Sequence, residues 1–363
     1  MNIGQIYKNI KKKIEDKHDN NRVAKEHKAH FTLMQKNGVK FQHLNAEQKK
    51  AVDEIYSRYK CNYSYSMHEL YLSATGEFEP TIVPEDFFRV YINETMNRVG
   101  TLGLAWADKN YYEIFHSQMP LPETILRYIR GKFLDKDYNL ITKEEADKIL
   151  AEAGEYFIKP SLEGGGFGHG VALIKKHESI DAIIKKYQFD VTIQKKFIQH
   201  KDMAQLNESS VNVVRIMTMF IDEKPEFLLA AVRAGESGAI TDHSNTKGKG
   251  SAIFGLNEDG TAMDYGFNAC GVKVTECSNG FKFGGVKIPS FEELKSLALK
   301  SHEKMPMFKL IAWDMVVAED GAATVMEYNI KRPGIILYQW TNGPLFGKDI
   351  NRLHYVLKKL NEA

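Results

Sequence analysis

An α+β fold in two lobes, preceded by a basic helical extension, is what this sequence of 363 residues predicts. Three observations lead there. Short apolar runs with strand character alternate with helical segments over most of the chain. Several of those runs are separated only by turn residues, as in direct hairpins, and the first segment repeats its apolar residues at helical spacing. A chain of this length holds about two or three domains of ordinary size. The expected division is a helical basic region over 1–74, a first lobe over 75–200 and a second lobe over 201–363.

Composition narrows the class. Lys and Arg number 49 against 47 Asp and Glu, and 43% of the residues are hydrophobic, as in a soluble protein with ample core. The net charge of +2 excludes a surface built throughout for nucleic acid, which needs a large basic excess. That total conceals a polarity: residues 1–60 carry 14 Lys and Arg against 7 Asp and Glu, so they hold +7 and the remainder −5. Cys61, Cys270 and Cys277 form neither a C-x-x-C pair nor an even set, so a reduced, cytoplasmic setting is expected without disulfides or a zinc knuckle. No apolar run nears the roughly 18 residues that span a bilayer, and the first segment lacks the apolar stretch of a secretory signal, so neither a spanning helix nor export is expected.

The elements follow in order. Ile3, Ile6, Ile10 and Ile14 stand three or four apart with Tyr7 beside them, and Lys8, Lys11, Lys12 and Lys13 fill the other faces. This is an amphipathic basic helix; residues 1–20 either dock on their own domain or touch the inner membrane surface peripherally. Residues 22–60, with sparse apolar positions, read as further solvated helix. Pro80 and Pro84 mark a linker ahead of the aromatic run Glu85–Gly100. Thr142-Lys143-Glu144-Glu145 is a capping box for a helix that ends at about Ala153 before Gly154, and Ser290-Phe291-Glu292-Glu293 is a second for a helix over 290–304. A further helix is expected over 178–187. Strands are expected over 156–159, 171–174, 191–198, 211–219, 226–232, 311–317 and 324–329.

The chemistry concentrates in four places. Residues 156–174 give a strand ending in Lys159, a loop with glycines at 164, 165, 166, 168 and 170, and a second strand. Glycines at that density let backbone N–H groups wrap an anion such as a phosphate. The loop lacks the Gly-Lys-Ser/Thr of a Walker motif and the G-x-G-x-x-G spacing, so alone it is equally a hairpin turn. Lys159 favours the phosphate, because a lysine in a sheet strand is costly unless it meets an anion. Near the C-terminus, Asp314 lies in one apolar strand, and Glu327 and Asn329 lie two apart in the next, so they share a face. Three such oxygen donors suit one or two Mg2+ ions; polar residues on a solvated face are the alternative. Arg215 and Arg233 sit within strands, where each is either an ion-pair partner or a clamp on a carboxylate or phosphate. Lys247 and Lys249, on the polar loop 241–250, either close over the same site or remain solvated.

The order of these pieces resembles the ATP-grasp superfamily, and in detail its sugar-transfer-associated group. The resemblance runs from about residue 85 to the C-terminus. It is carried by Trp106-Ala107-Asp108-Lys109-Asn110, Pro120–Thr124, Ile158-Lys159-Pro160 with the glycine flap, Gln194–His200, Val211–Ile216, Trp313-Asp314, Glu327-Tyr328-Asn329, and Arg332-Pro333-Gly334 followed by Gln339. The resemblance implies two α+β lobes that hold ATP and Mg2+ between them, Mn2+ being a substitute, and a carboxylate that becomes an acylphosphate before an amine displaces phosphate. By motif position it implies Lys109, Lys159 and the flap glycines Gly164, Gly165, Gly166 and Gly168 on the phosphates. Gln194, Lys196, Phe197 and Ile198 fall on the adenine, and His200 or Asp202 near the ribose. Asp314, Glu327 and Asn329 fall on the metal, and Arg215, Arg233, Lys247 and Arg332 on the reacting groups.

Lys195 stands where many relatives carry Glu, the loop 242–250 has two lysines in place of paired glycines, and Lys331-Arg332 is unusually basic. The last feature suits an acidic substrate. The implied activity is an ATP- and Mg2+-dependent carboxylate–amine ligase in surface-polysaccharide or cell-envelope modification, acting on small molecules or on a nucleotide- or lipid-linked sugar. Two other classes use the same clamp: a kinase or phosphotransferase, which leaves a stable phosphorylated product, and a non-catalytic nucleotide-binding assembly protein, which has no need of three converging metal ligands.

Overall fold

Two antiparallel sheets organise the chain in this computed structural model. It describes residues 3–59, 61–97, 102–162, 170–175, 178–187, 190–242, 249–331 and 333–362, with side chains 3–18 and 360–362 outside that description. The first sheet holds β1 (Thr124–Ile129), β2 (Lys132–Asp135), β3 (Leu140–Ile141), β4 (Tyr156–Pro160), β5 (Ala172–Ile174) and β6 (Val191–Lys195), in the order β3-β2-β1-β6-β4-β5. The second holds β7 (Val213–Phe220), β8 (Pro225–Ala234), β9 (Ala252–Leu256), β10 (Ala262–Phe267), β11 (Lys273–Val274), β12 (Leu310–Val317) and β13 (Ala323–Asn329), in the order β11-β10-β9-β8-β7-β12-β13. Residues 196–212, which include the short helix Lys201–Ala204, connect the sheets, and Gln199 makes an isolated antiparallel bridge to Ala318 beyond β12.

The two-residue alternation of strands gives each sheet a face packed against helices. In the first, Tyr156, Ile158, Val191 and Ile193 pack with Leu150 and Ile183 of the helices Lys143–Glu152 and Ile180–Tyr187. In the second, Val214, Ile216, Val232, Trp313 and Met315 pack with Leu294 and Ala298 of the helix Phe291–Glu303. Thr142 caps its helix as the sequence predicts, with both hydrogen bonds of the capping box present, and Gly154 follows at φ +72°. The turn at Glu319-Asp320-Gly321 joins β12 to β13, with Gly321 at φ +89°.

Ser290 corrects the second capping expectation. It adopts φ +52° and caps nothing; its hydroxyl donates instead to the Gly321 carbonyl at 2.7 Å. The tie to the neighbouring hairpin turn replaces the local cap. The strands β1–β3 and β9–β11 were not predicted: they are short, and Gly255 and Gly266 interrupt the β-propensity of β9 and β10.

The N-terminal helices also differ from the expectation of a solvated segment. α1 (Ile3–Lys36), α2 (Ala46–Tyr56) and α3 (Ser66–Thr75) supply buried Val23, Met34, Val52, Ile55, Tyr56, Met67 and Leu70, and the segment before α2 adds Leu44. Leu44, Val52, Ile55 and Tyr56 join Met217, Met219, Leu229, Ala231, Leu310 and Ala312, on the second face of the seven-stranded sheet. Apolar positions this sparse suffice because each is placed on one helix face. The Ile stripe of residues 3–14 lies outside the described side chains. No helix among the described residues is long and apolar enough to cross a membrane.

Candidate active site

The face of the seven-stranded sheet that carries Met217, Ala231 and Ala312 turns polar along the same strands. Strand alternation puts Arg215 in line with Met217, Arg233 with Ala231, and Asp314 with Ala312. Register then brings them side by side: Arg215 pairs with Asp314 across β7 and β12, and Asp314 pairs with Glu327 across β12 and β13. Asn329 lies opposite Ala312 and therefore on the same face. The Arg215 guanidinium donates to both Asp314 oxygens, at 2.5 and 2.9 Å, and the Asn329 amide donates to Asp314 Oδ2 at 3.1 Å. Arg233 pairs with Asp242 at 3.0 Å. Tyr338, from the helix Ile336–Asn342, places its ring 5.2 Å from the Arg215 guanidinium and hydrogen-bonds Arg233. Burial opposes the charge on both arginines, but Asp314 and Asp242 hold them above the ordinary guanidinium range, so they stay cationic.

The first sheet contributes from the face turned away from the helices Lys143–Glu152 and Ile180–Tyr187. Lys159 and Gln194 lie opposite to the buried Ile158 and Ile193, and the Lys159 ammonium donates to Gln194 Oε1 at 2.9 Å and approaches Met326 Sδ at 3.2 Å. Lys109 begins the turn Lys109–Tyr111 and its ammonium lies 3.4 Å from Glu327 Oε2. Lysines of the first lobe thus touch consecutive residues of β13 in the second. Burial lowers the Lys159 ammonium to about 8, with the nearby Lys109 charge adding to the fall and Glu327 opposing it.

The connector supplies the remaining edge. Lys196 pairs with Glu155 at 2.5 Å, and Lys195 with Glu123 at 3.4 Å, which directs both charges along the outside of the sheet. Phe197 is partly covered and Ile198 is 58% exposed. His200 caps the short helix Lys201–Ala204 by accepting from the Asp202 amide at 3.2 Å. Of the sequence-derived set, the structure therefore brings Lys109, Lys159, Gln194, Arg215, Asp314, Glu327 and Asn329 into one cluster. It sets Arg233 beside Arg215, and Lys196, Phe197, Ile198, His200 and Asp202 along the connector. Gly164, Gly165, Gly166, Gly168, Lys247 and Arg332 lie outside the described residues.

Sequence reasoning missed Asp242 and Tyr338 as partners of Arg233. Nothing local marks them, since each meets Arg233 only through the fold. Gln339, noted only as part of a motif, is fully buried; its side chain accepts from the Val83 and Leu345 amides and donates to the Val83 carbonyl.

The donor set fits a metal–polyphosphate. Two carboxylates and an amide oxygen are hard ligands for Mg2+, which completes its shell with water and phosphate, and two lysines and an arginine beside them match phosphate charge. Among the described residues no three His, Cys, Asp or Glu converge on a metal position, so a metal here depends on Asn329 and on a ligand's own oxygens.

Lysines beside the first sheet meeting carboxylates on the second is the arrangement that the ATP-grasp resemblance led one to expect. Residues 184–353 match the family model for sugar-transfer associated ATP-grasp proteins, which bears out the resemblance over that segment. No curated protein sequence matches the chain. Among solved structures, the chain is similar to the ATP-grasp ligase PsnB complexed with minimal precursor, at 12% identity and TM-score 0.43, over 73% of this chain and 63% of that one. It is also similar to the D-cycloserine synthetase DcsG, at 15% identity and TM-score 0.41 over 70% and 71% of the two chains. A third is the D-alanine-D-alanine ligase from Coxiella burnetii, at 10% identity and TM-score 0.40 over 70% and 58%. The chain spans about three fifths of the length of the first of these, PsnB.

Proposed function

We propose that this protein is an ATP- and Mg2+-dependent ligase that joins a carboxylate to an amine through an acylphosphate. The observation that carries the reading is the convergence of Lys109 and Lys159 from one lobe with Asp314, Glu327, Asn329 and Arg215 from the other. In the first step a carboxylate oxygen attacks the γ-phosphorus of ATP and the bond to the β,γ-bridging oxygen breaks, giving acylphosphate and ADP. In the second an amine attacks the acyl carbon, phosphate leaves with its bond electrons, and the amine loses a proton.

The chain's own groups divide that work. Lys109 and Lys159 hold the phosphates, and Arg215, already ion-paired, offers a fixed guanidinium to the charge that develops on the transferred group. Arg233 and the basic Lys331-Arg332 segment attract an acidic substrate. Mg2+, when bound at Asp314, Glu327 and Asn329, neutralises phosphate charge. The connector Lys196–Ile198 receives the base, and His200 with Asp202 the ribose. A sugar acid as the carboxylate, on a free, nucleotide-linked or lipid-linked sugar, and a cytoplasmic role in envelope or surface-polysaccharide modification complete the proposal.

Purified protein is to be screened for ADP release against a matrix of uronic acids, nucleotide-linked sugar acids and amines. Release that requires both a carboxylate and an amine supports the reading; AMP with pyrophosphate, or a stable phosphorylated product, overturns it. Glu327→Ala abolishes turnover on this assignment, and full activity in that variant removes Glu327 from the metal site.

A further inference from the structure

The turn that carries Lys109 is held by a network that reaches far from the phosphates. Across β1, β6 and β4, the register aligns Arg127, Thr192 and Lys159 in one row on the face of the first sheet opposite Ile158 and Ile193. Asn110, fully buried, lies over that row. Its side-chain oxygen accepts from the Thr192 hydroxyl at 2.7 Å, and its backbone carbonyl accepts from the Tyr138 hydroxyl at 2.8 Å. Lys109 itself is pinned by its amide, which donates to the Ser161 carbonyl at 2.9 Å, two residues beyond Lys159. The Asp108 carboxylate closes the turn by accepting from the Asn110 amide at 3.0 Å.

Tyr138 is the unusual member. It occupies the turn between β2 and β3 at φ +65°, a left-handed conformation that a bulky residue rarely adopts. Such an outlier persists only where its surroundings fix it. Here its ring lies 3.8 Å from the guanidinium of Arg127, which is itself buried, pairs with Glu113 at 2.9 Å and donates to the carbonyls of Asp135 and Lys136. A glycine or asparagine would take this backbone more readily, but neither delivers a hydroxyl to Asn110. We propose that Tyr138 is a positioning residue: acting through Asn110, it fixes the turn that aims Lys109 at Glu327. This rests on the reading of Lys109 as a phosphate-binding lysine.

The test uses the full-length protein and Tyr138→Phe, which keeps the ring over Arg127 and removes only the hydroxyl. Binding of Mg-ATP is measured by calorimetry in wild type, Tyr138→Phe, Lys109→Ala and the double variant, with thermal melting as the check on folding. The Tyr138 hydroxyl also reaches Glu113 Oε2 at 3.2 Å, but its shorter bond is to the Asn110 carbonyl, so its loss is expected to weaken Mg-ATP binding about fivefold when Lys109 is present, and less than about twofold when it is absent. Equal losses in both backgrounds, or none in either, overturn the proposal. A second readout does not need nucleotide: acetylation of Lys109 by a water-soluble acetylating reagent, followed by mass spectrometry. Release of the turn is expected to raise the Lys109 rate about fivefold in Tyr138→Phe while exposed Lys132 is unchanged, and an unchanged Lys109 rate overturns the proposal. Failure of the wild-type protein to bind Mg-ATP refutes the ATP-binding reading separately, and the acetylation result still decides the role of Tyr138.

Discussion

At Lys159 the cost of burial becomes a pH signature. Its ammonium is lowered to about 8, while the unfolded chain retains the ordinary 10.5. Below about pH 8 both states are charged and the burial cost stands in full. As pH rises from there toward 10.5 the folded protein releases a proton that the unfolded chain keeps, so this residue's contribution to stability rises. Phosphate binding follows the opposite course, because it needs the charge. Mg-ATP affinity is expected to fall above about pH 8, and Lys159→Arg to flatten that fall, as read by calorimetry across a pH series. Asp314 gives a second residue-scale prediction. Asp314→Asn leaves Arg215 buried without its carboxylate, so denaturant unfolding is expected to show a loss of about 3 kcal/mol. A loss below about 0.5 kcal/mol would mean that the pair is solvated. Arg215 and Asp314 were both legible in the sequence as charged residues within apolar strands. Their mutual pairing was not, because it depends on the register of β7 against β12, which no local pattern specifies.

The helices show the same division between local and tertiary information. Thr142 and Ser290 open segments of identical pattern, Ser or Thr followed three residues later by Glu. Only Thr142 makes the reciprocal bonds, whereas Ser290 turns left-handed to reach Gly321. Thr142→Ala is therefore expected to cost about 1 kcal/mol, the usual loss for a removed N-cap. Ser290→Gly is expected to be nearly neutral, since relief of the positive φ offsets the lost hydrogen bond. Thermal melting of the two variants checks the contrast, and equal destabilisation would show that Ser290 acts as a cap in solution. The strong strands and the capped helices were readable because propensity, pattern and turn chemistry agreed there. β1–β3 and β9–β11 were not, since their stability comes from pairing with neighbours distant in sequence, as β1 does with β6.

For the molecule as a whole, charge patterning suggested a basic N-terminal extension separate from the enzyme body, and packing joins the two. Leu44, Val52, Ile55 and Tyr56 lie against Met217, Met219, Leu229 and Leu310, on the very sheet face that continues into Arg215, Asp314 and Glu327. The helical layer thus covers the apolar part of this face and leaves the polar part, with Arg215, Asp314 and Glu327, to meet Lys109. Gln339 fastens the same layer by bonding both the amide and the carbonyl of Val83. Two consequences follow from one shared core. Ile55→Ala, which removes most of a fully packed side chain, is expected to destabilise the protein by about 2–5 kcal/mol. The loss should appear as a shift of the unfolding transition reported by Trp313 and Trp340, both buried in or beside the seven-stranded sheet, because helices and sheet unfold together. If α2 instead merely decorated the lobe, Ile55→Ala would produce an early transition in helical circular dichroism that leaves the tryptophan signal unmoved. Mg-ATP affinity measured well below the melting temperature is expected to stay within about twofold of wild type, since Ile55 belongs to the apolar cluster on this face, apart from Arg215, Asp314 and Glu327.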